Sequence, residues 1–244
     1  MAPGATRSGW LLRGRGGLAA RPGGRGGCSP LAVLGQLRNE PVVHQPNQPR
    51  LTRAFFARPS PVVARQLLGS WLVRRLGDDE LRVRVCETEA YLGASDPASH
   101  AFRGRTGRNA VMFGPAGIAY VYFVYGMHHC FNVVTGQEGD PQAVLIRGGS
   151  HGSGTASAAL GGPALLSRAL GIDLSCNEVD LCRTEDGSIW FEAGGGGASP
   201  VLMTPRIGVR DRSPMRFVTV ASTLRPSNLP RPRKSEPRRA RSKH

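Results

Sequence analysis

A chain of 244 residues, 40% of them apolar and with a formal charge of +15, is long enough for one folded domain with extensions. No apolar run approaches the ~18 residues of a membrane-spanning helix, so no membrane segment is expected. Five cysteines, odd in number and without a C-x-x-C pair, argue against a disulfide framework and against a zinc or iron–sulfur site. A reducing compartment, with no metal and no cofactor, is the expectation.

The charge is unevenly placed. Residues 1–50 carry seven Arg against Glu40, and residues 224–244 carry eight Lys or Arg against Glu236. Residues 51–223 hold seventeen Arg against fifteen acids and are nearly balanced. The division predicts a basic Gly/Arg/Pro-rich extension over 1–49, a folded domain over 50–223 and a basic tail over 224–244. Neither extension has the composition to bury a core, though both can touch any polyanion. The first is also acid-poor and Arg-rich in the manner of a transit peptide, but its Gly and Pro weaken an amphipathic helix.

In chain order, SPVVARQLLGS predicts a helix with Ser60 as N-cap, Pro61 in the first turn and Gly69 closing it. SWLVRRL and LRVRVCETEAY flank the acidic turn GDDE as an antiparallel pair. Alternation along the second strand puts Leu81, Val83, Val85, Glu87, Glu89 and Tyr91 on one face. IAYVYFVYG (118–126) and HCFNVVTG (129–136) form a second hairpin about Gly126–Met127, and QAVLIRG adds a strand. GGSHGSGTASAALG (148–161) has the composition of a flexible linker. GPALLSRALGI predicts a short amphipathic helix, and SIWFE and PRIGV late strands. Hairpin-paired strands with helices set apart from them indicate an α+β fold.

A strand whose apolar face turns into Glu-x-Glu-x-Tyr has reached either solvent or a site. All four tyrosines, Tyr91, Tyr120, Tyr122 and Tyr125, lie within thirty-five positions. Ordinary cross-strand packing would accept Phe, whereas buried hydroxyls need partners. With His100 and Asn132 near them in sequence, they suggest a polar-tipped aromatic pocket. Between Asp96 and Glu138 there is no acidic residue, and Arg103, Arg105 and Arg108 fall in that window, as a solvated loop or a phosphate-facing edge.

The two lysines, Lys234 and Lys243, stand in the basic tail, which argues against Schiff-base chemistry in the folded part. Cleavage of a C–N or C–O bond would fall to a carboxylate and water. Two glutamates at i and i+2 also suit an inverting carbohydrate hydrolase, a reading without other support in the sequence. His128 and His129 are adjacent, so in a strand they face opposite ways and cannot chelate together. His44 and His151 fall in predicted loops, and Trp71 and Trp190 in the predicted core.

ETEAYLG, then Asp96-x-x-x-His100, then RGRTGRNAVMFGPAGIAYVYFVYGMHHCFNVVTG closely resemble the alkyladenine (3-methyladenine) DNA glycosylases. The resemblance runs from about Phe55 to Arg147 and resumes more weakly in GPALLSRALGI and PRIGV. It implies a single compact domain with a curved, mostly antiparallel sheet, a protruding β-hairpin and surrounding helices. It further implies a monomer that binds double-stranded DNA containing damaged purines and releases them by hydrolysis in base excision repair. By position, Glu89 matches the general base, and Tyr91, His100 and Tyr122 the residues that sandwich the flipped base. Asn132 matches the residue that disfavours the amino group of guanine. Tyr125, with Met127 beside it on the DNA, matches the side chain that fills the gap in the duplex. Arg147 and the main-chain carbonyl of Ile207 match groups that hold the nucleophilic water. Arg103, Arg105 and Arg108 are the expected phosphate contacts.

The sequence departs from the family pattern after Arg147, after the Arg216–Phe217 pair, and at Gly107 where Pro is usual. The altered linker motivates an alternative, a damaged-DNA-binding relative with little turnover. A bacterial chain would work at the nucleoid, a eukaryotic one in the nucleus or mitochondrion.

Overall fold

A computed structural model of the chain describes residues 48–151, 158–183, 187–194 and 200–219. The readings made for the basic extension, the tail, Cys28 and His44 lie outside the described residues. Two short helices, α1 (Arg53–Phe56) and α2 (Ser60–Gln66), precede a hairpin of β1 (Trp71–Leu76) and β2 (Asp79–Tyr91). Then come β3 (Ala119–Val124), β4 (His128–Thr135), β5 (Gln142–His151), β6 (Ala158–Gly161) and helix α3 (Pro163–Ala169). The short strands β7 (Ile189–Glu192), β8 (Val201–Thr204) and β9 (Arg216–Thr219) follow. All pairings are antiparallel, in the order β3-β4-β5-β2-β1-β7, with β6 beside β5 and the β8–β9 pair attached to β2. The sheet curls into a half-barrel, and the fold is α+β as its hairpin pattern implied.

Two-residue periodicity explains what each face carries. Along β4, Phe131 and Val133 join the main core while Cys130, Asn132 and Val134 point the other way; along β5, Val144 and Ile146 alternate with Ala143, Leu145 and Arg147. Val63, Ala64 and Leu67 from the α2 region and Leu166, Ala169 and Leu170 from the α3 region complete the core. The opposite face is therefore free to be polar.

Strand β2 breaks this rule, and that corrects the single face expected for Leu81 through Tyr91. Its register against β5 runs Val85↔Gly149, Glu87↔Gly148 and Thr88↔Ile146, with irregularities on both sides of Glu87. Leu81, Val83 and Val85 lie in the core, but beyond the bulge the inward positions pass to Thr88 and Ala90. Thr88 donates its hydroxyl to the Ala64 carbonyl at 2.8 Å, directly beneath α2. Glu87, Glu89 and Tyr91 thereby turn to the other face, sparing an apolar core two carboxylates. The outer neighbour of β2 changes at the same place: β1 pairs with residues 79–84, and β9 with residues 87–89.

Five other expectations are revised. Ser60 makes no capping bond; its hydroxyl reaches the Tyr91 carbonyl at 3.1 Å, and its N–H the Gln142 side chain at 2.8 Å. Residues 148–161 are not a linker at their described ends, because β5 continues to His151 and β6 pairs back onto it, Gly148↔Gly161 to His151↔Ala158. His151 is accordingly a buried strand residue, its Nδ1 donating to the Arg82 carbonyl at 2.8 Å. PRIGV is an irregular segment between β8 and β9, and Trp71 is only half-buried, whereas Trp190 is buried.

Gly148 and Gly149 are there for close approach rather than slack. A Cβ on Gly149 would sit 2.3 Å from Val83 Cγ1 and 2.7 Å from the Arg84 carbonyl oxygen. Gly149→Ala must push β5 off β2 at the bulge, an overpacking cost of about 1–3 kcal/mol. Thermal denaturation should show Tm lowered by roughly 3–10 °C; an unchanged Tm would mean that the bulge tolerates separation of the two strands.

Candidate active site

Register lines up one row of side chains across five strands: Tyr120↔Asn132↔Leu145↔Glu89↔Arg216. Over this row lies a cavity of about 510 Å³. Tyr91, His100, Tyr120, Tyr122, Asn132, Arg147 and Ile207 are among the residues that line it. The sheet face supplies the floor, the 92–109 segment one rim, and Ile207 to Val209 another.

Glu89 has no exposed surface, and each of its carboxylate oxygens accepts a hydrogen bond. Its Oε2 accepts from the Tyr91 hydroxyl at 2.9 Å, its Oε1 accepts from the Ile207 N–H at 2.8 Å, and Arg147 Nη1 stands 3.4 Å from Oε1. The carboxylate thus lies immediately behind three residues that line the cavity. Burial first, then the charge and hydrogen bond of Glu89, push the Tyr91 phenol far above its ordinary pKa, so it remains a donor. Ile207 meets Glu89 through its amide, while the role the resemblance implies for it concerns its carbonyl and the nucleophilic water.

Glu87 has a different set of partners. Its Oε1 accepts from Arg147 Nε at 2.9 Å and from Arg216 Nε at 2.7 Å. Glu87, Glu89, Arg147 and Arg216 are all buried, so two anions and two cations share one dry region and neutralise each other. Glu87 is engaged by both guanidiniums, whereas Glu89 is held by an amide, a phenol and the outer nitrogen of one arginine. That difference separates an anchoring carboxylate from one poised at a cavity wall.

The aromatic residues converge as the sequence suggested. His100 and Tyr122 meet edge to face with centroids 4.5 Å apart, and Tyr120 shares a 2.7 Å hydrogen bond with His100 Nδ1. Burial, and then the positive charge of Arg108, lower the His100 pKa and favour a neutral imidazole. Burial pushes Tyr120 up to about 12. Asn132 is 3% exposed and donates Nδ2 to the Tyr120 carbonyl at 3.0 Å, which fixes its amide against the floor.

At the mouth, Tyr125 and Met127 are 85% and 68% exposed. Tyr125 has φ 53° and Gly126 φ 68°, the mirror-image turn in which Asn or Gly is the favoured first residue. A tyrosine there costs the backbone about 1–2 kcal/mol, a cost incurred at a solvent-facing tip. Arg103, Arg105 and Arg108 are exposed on the neighbouring loop, with the Arg108 guanidinium 5.4 Å from the Tyr122 ring. His128 lines the cavity while His129 packs on Phe123, facing opposite ways as expected.

Three residues that sequence reasoning left without a role organise these parts. Asn109, 2% exposed, accepts from Thr106 N–H at 2.6 Å and donates to the carbonyls of His100 and Gly104, giving the arginine loop its shape. Arg216 shares Glu87 with Arg147, and Arg206 pairs with Asp96. Only Asp96 carried a signal, as the acid of Asp-x-x-x-His.

A family model described as methylpurine-DNA glycosylase matches residues 54–223. A protein of Streptomyces avermitilis is 46% identical over 165 residues, 63% of this chain and 78% of the relative. One from Myxococcus xanthus is 50% identical over 133 residues, 54% of this chain and 69% of its own length. One from Methanocella arvoryzae is 42% identical over 173 residues, 66% and 85% respectively. Each of the three bears the name "Putative 3-methyladenine DNA glycosylase". The matched span holds every residue that builds the cavity, and the chain belongs to the methylpurine-DNA glycosylase family, enzymes of DNA base excision repair.

Proposed function

We propose that this protein flips alkylated or deaminated purines (3-methyladenine, 7-methylguanine, hypoxanthine) out of duplex DNA and hydrolyses the N-glycosidic bond with a water activated by Glu89. The observation that carries the reading is the buried Glu89 carboxylate, bonded to Tyr91 and Ile207 directly behind the wall of a cavity that Tyr91, His100 and Tyr122 line. Water attacks the anomeric carbon, its proton passes to Glu89, and the C–N bond breaks with its electron pair leaving on the base. The ionised carboxylate also faces the positive charge that develops on the sugar. No lysine occurs in residues 50–223, so the chemistry ends at base release without a covalent enzyme–DNA adduct.

Flipping costs a few kcal/mol, least at a damaged pair. Stacking on each aromatic face returns about 1–3 kcal/mol, and a cation–π contact to an alkylated purine about 2 kcal/mol in a dry site. On this reading Tyr125 at the exposed tip fills the space the base vacates, and the exposed Arg103, Arg105 and Arg108 hold phosphates. The described ends of the 148–161 segment pair as strands, which supports an intact domain around the cavity.

Three outcomes test this. Wild type should release hypoxanthine or a methylated purine from a duplex, while Glu89→Gln binds the same duplex but releases base about 10²–10⁴-fold more slowly. Release at the wild-type rate would remove Glu89 from the chemistry. Replacing Arg103, Arg105 and Arg108 together by Ala should make the log–log salt slope of duplex binding shallower by about 2–3, and an unaltered slope would reject the phosphate contacts. Tyr125→Asn suits the turn better and should raise Tm slightly, yet weaken binding to a lesion duplex by about tenfold, the scale of one lost stacking contact. Equal lesion affinity would rule out the wedge.

A further inference from the structure

Arg206 is 4% exposed, and its guanidinium ties the end of β2 and the segment after it to the 206–211 stretch, 110 or more positions away. Nη1 donates to the Ala90 carbonyl at 3.0 Å and to Asp96 Oδ2 at 2.5 Å. Nη2 donates to Asp96 Oδ1 at 2.9 Å and to Asp211 Oδ2 at 2.8 Å. The planar group also lies 4.7 Å from the centroid of the Tyr91 ring. Asp96 in turn accepts from the N–H groups of Leu92 and Ala98 at 3.1 and 3.0 Å, so its carboxylate organises the segment that carries His100. The residue after Arg206 is Ile207, whose amide binds Glu89.

Burial alone would raise the Asp96 pKa, but the bonds from Arg206, Ala98 and Leu92 outweigh it and hold the carboxyl below the ordinary range. A planar fork that is bidentate on one carboxylate while its face covers a ring is a task for arginine, not lysine. We propose that Arg206 is a positioning residue for the glycosylase reaction, locking Tyr91, the His100 segment and the Ile207 amide into one rigid base slot. The inference deepens the base-slot reading given above and rests on it. It adds a requirement which that reading does not contain: the slot depends on a side chain outside the base-binding and water-holding set.

The test uses the full chain under single-turnover conditions, with a duplex from which wild type releases base, and with Tm and undamaged-duplex affinity measured alongside. Arg206→Lys keeps a cation beside Asp96 but loses the fork and the flat face. Its maximal rate should fall about tenfold or more, as for a small misplacement of reacting groups, while half-saturation moves by less than about threefold. The Ile207 amide proton resonance, which reports the bond to Glu89, should shift as well. Asp211→Asn removes only the partly exposed partner and should retain the rate within about threefold. A wild-type maximal rate in Arg206→Lys, or a deficit confined to Tm, would overturn the proposal. Should Arg206→Lys fail to fold, Asp96→Asn must show the same split between rate and half-saturation, and a wild-type rate there overturns it equally. An Ile207 resonance that does not move in the folded variant rejects the positioning role whether or not any duplex is turned over. Absence of base release by wild type instead strikes the reading of the slot itself.

Discussion

The kink in β2 between Val85 and Thr88 turns Glu87 and Glu89 off the apolar face and onto the side where Arg147, Arg216, Tyr91 and the Ile207 amide can reach them. Without it, alternation would drive both carboxylates into the layer beneath α2, where Thr88 and Ala90 now sit. The kink needs glycine across from it, because any side chain at Gly149 meets Val83 and the β2 backbone. Strand geometry, core composition and placement of the candidate base are therefore one constraint seen at three levels.

The buried charges extend that constraint across the sheet. Arg147 comes from β5 and Arg216 from β9, and both close on Glu87. Losing one member of such a group leaves an uncompensated charge in a dry region, commonly a cost of about 3–5 kcal/mol. Arg147 also reaches Glu89, so the anchoring carboxylate and the poised one share a guanidinium. A second buried pair, Asp96 with Arg206, plays the same part for the irregular segments at the cavity rim. The rim segments are thus held by charge-assisted bonds, beside the small apolar cluster of Ala101, Met112, Tyr120, Val134 and Ala143.

Much of this was legible in the sequence. Alternation marked the hairpins, and the β4 pattern HHCFNVVT alone separates the core residues Phe131 and Val133 from Cys130 and Asn132, which line the cavity. Clustering of the tyrosines with His100 and Asn132 marked a polar aromatic pocket, and those side chains do line one cavity. The β2 bulge was hidden because it is a relation between two strands, and nothing local in LRVRVCETEAY announces it. Arg206 and Arg216 were hidden for a similar reason, since the buried carboxylates they bind, Asp96 and Glu87, lie 110 and 129 positions away. At the described ends of 148–161 composition misled: Gly and Ser there permit close strand pairing as readily as they permit a flexible connection.

Central to the account is a fixed negative charge beside the anomeric carbon of a flipped nucleotide. Its most direct test compares the affinities of the protein for two otherwise identical duplexes. One carries a cationic pyrrolidine in place of the damaged nucleotide, the other a neutral tetrahydrofuran. A carboxylate in a water-excluded slot should favour the cationic analogue by at least about tenfold, as binding tuned to a charged transition state requires. Equal affinity for the two duplexes would contradict it, leaving Glu89 as a structural anion with no part in base release.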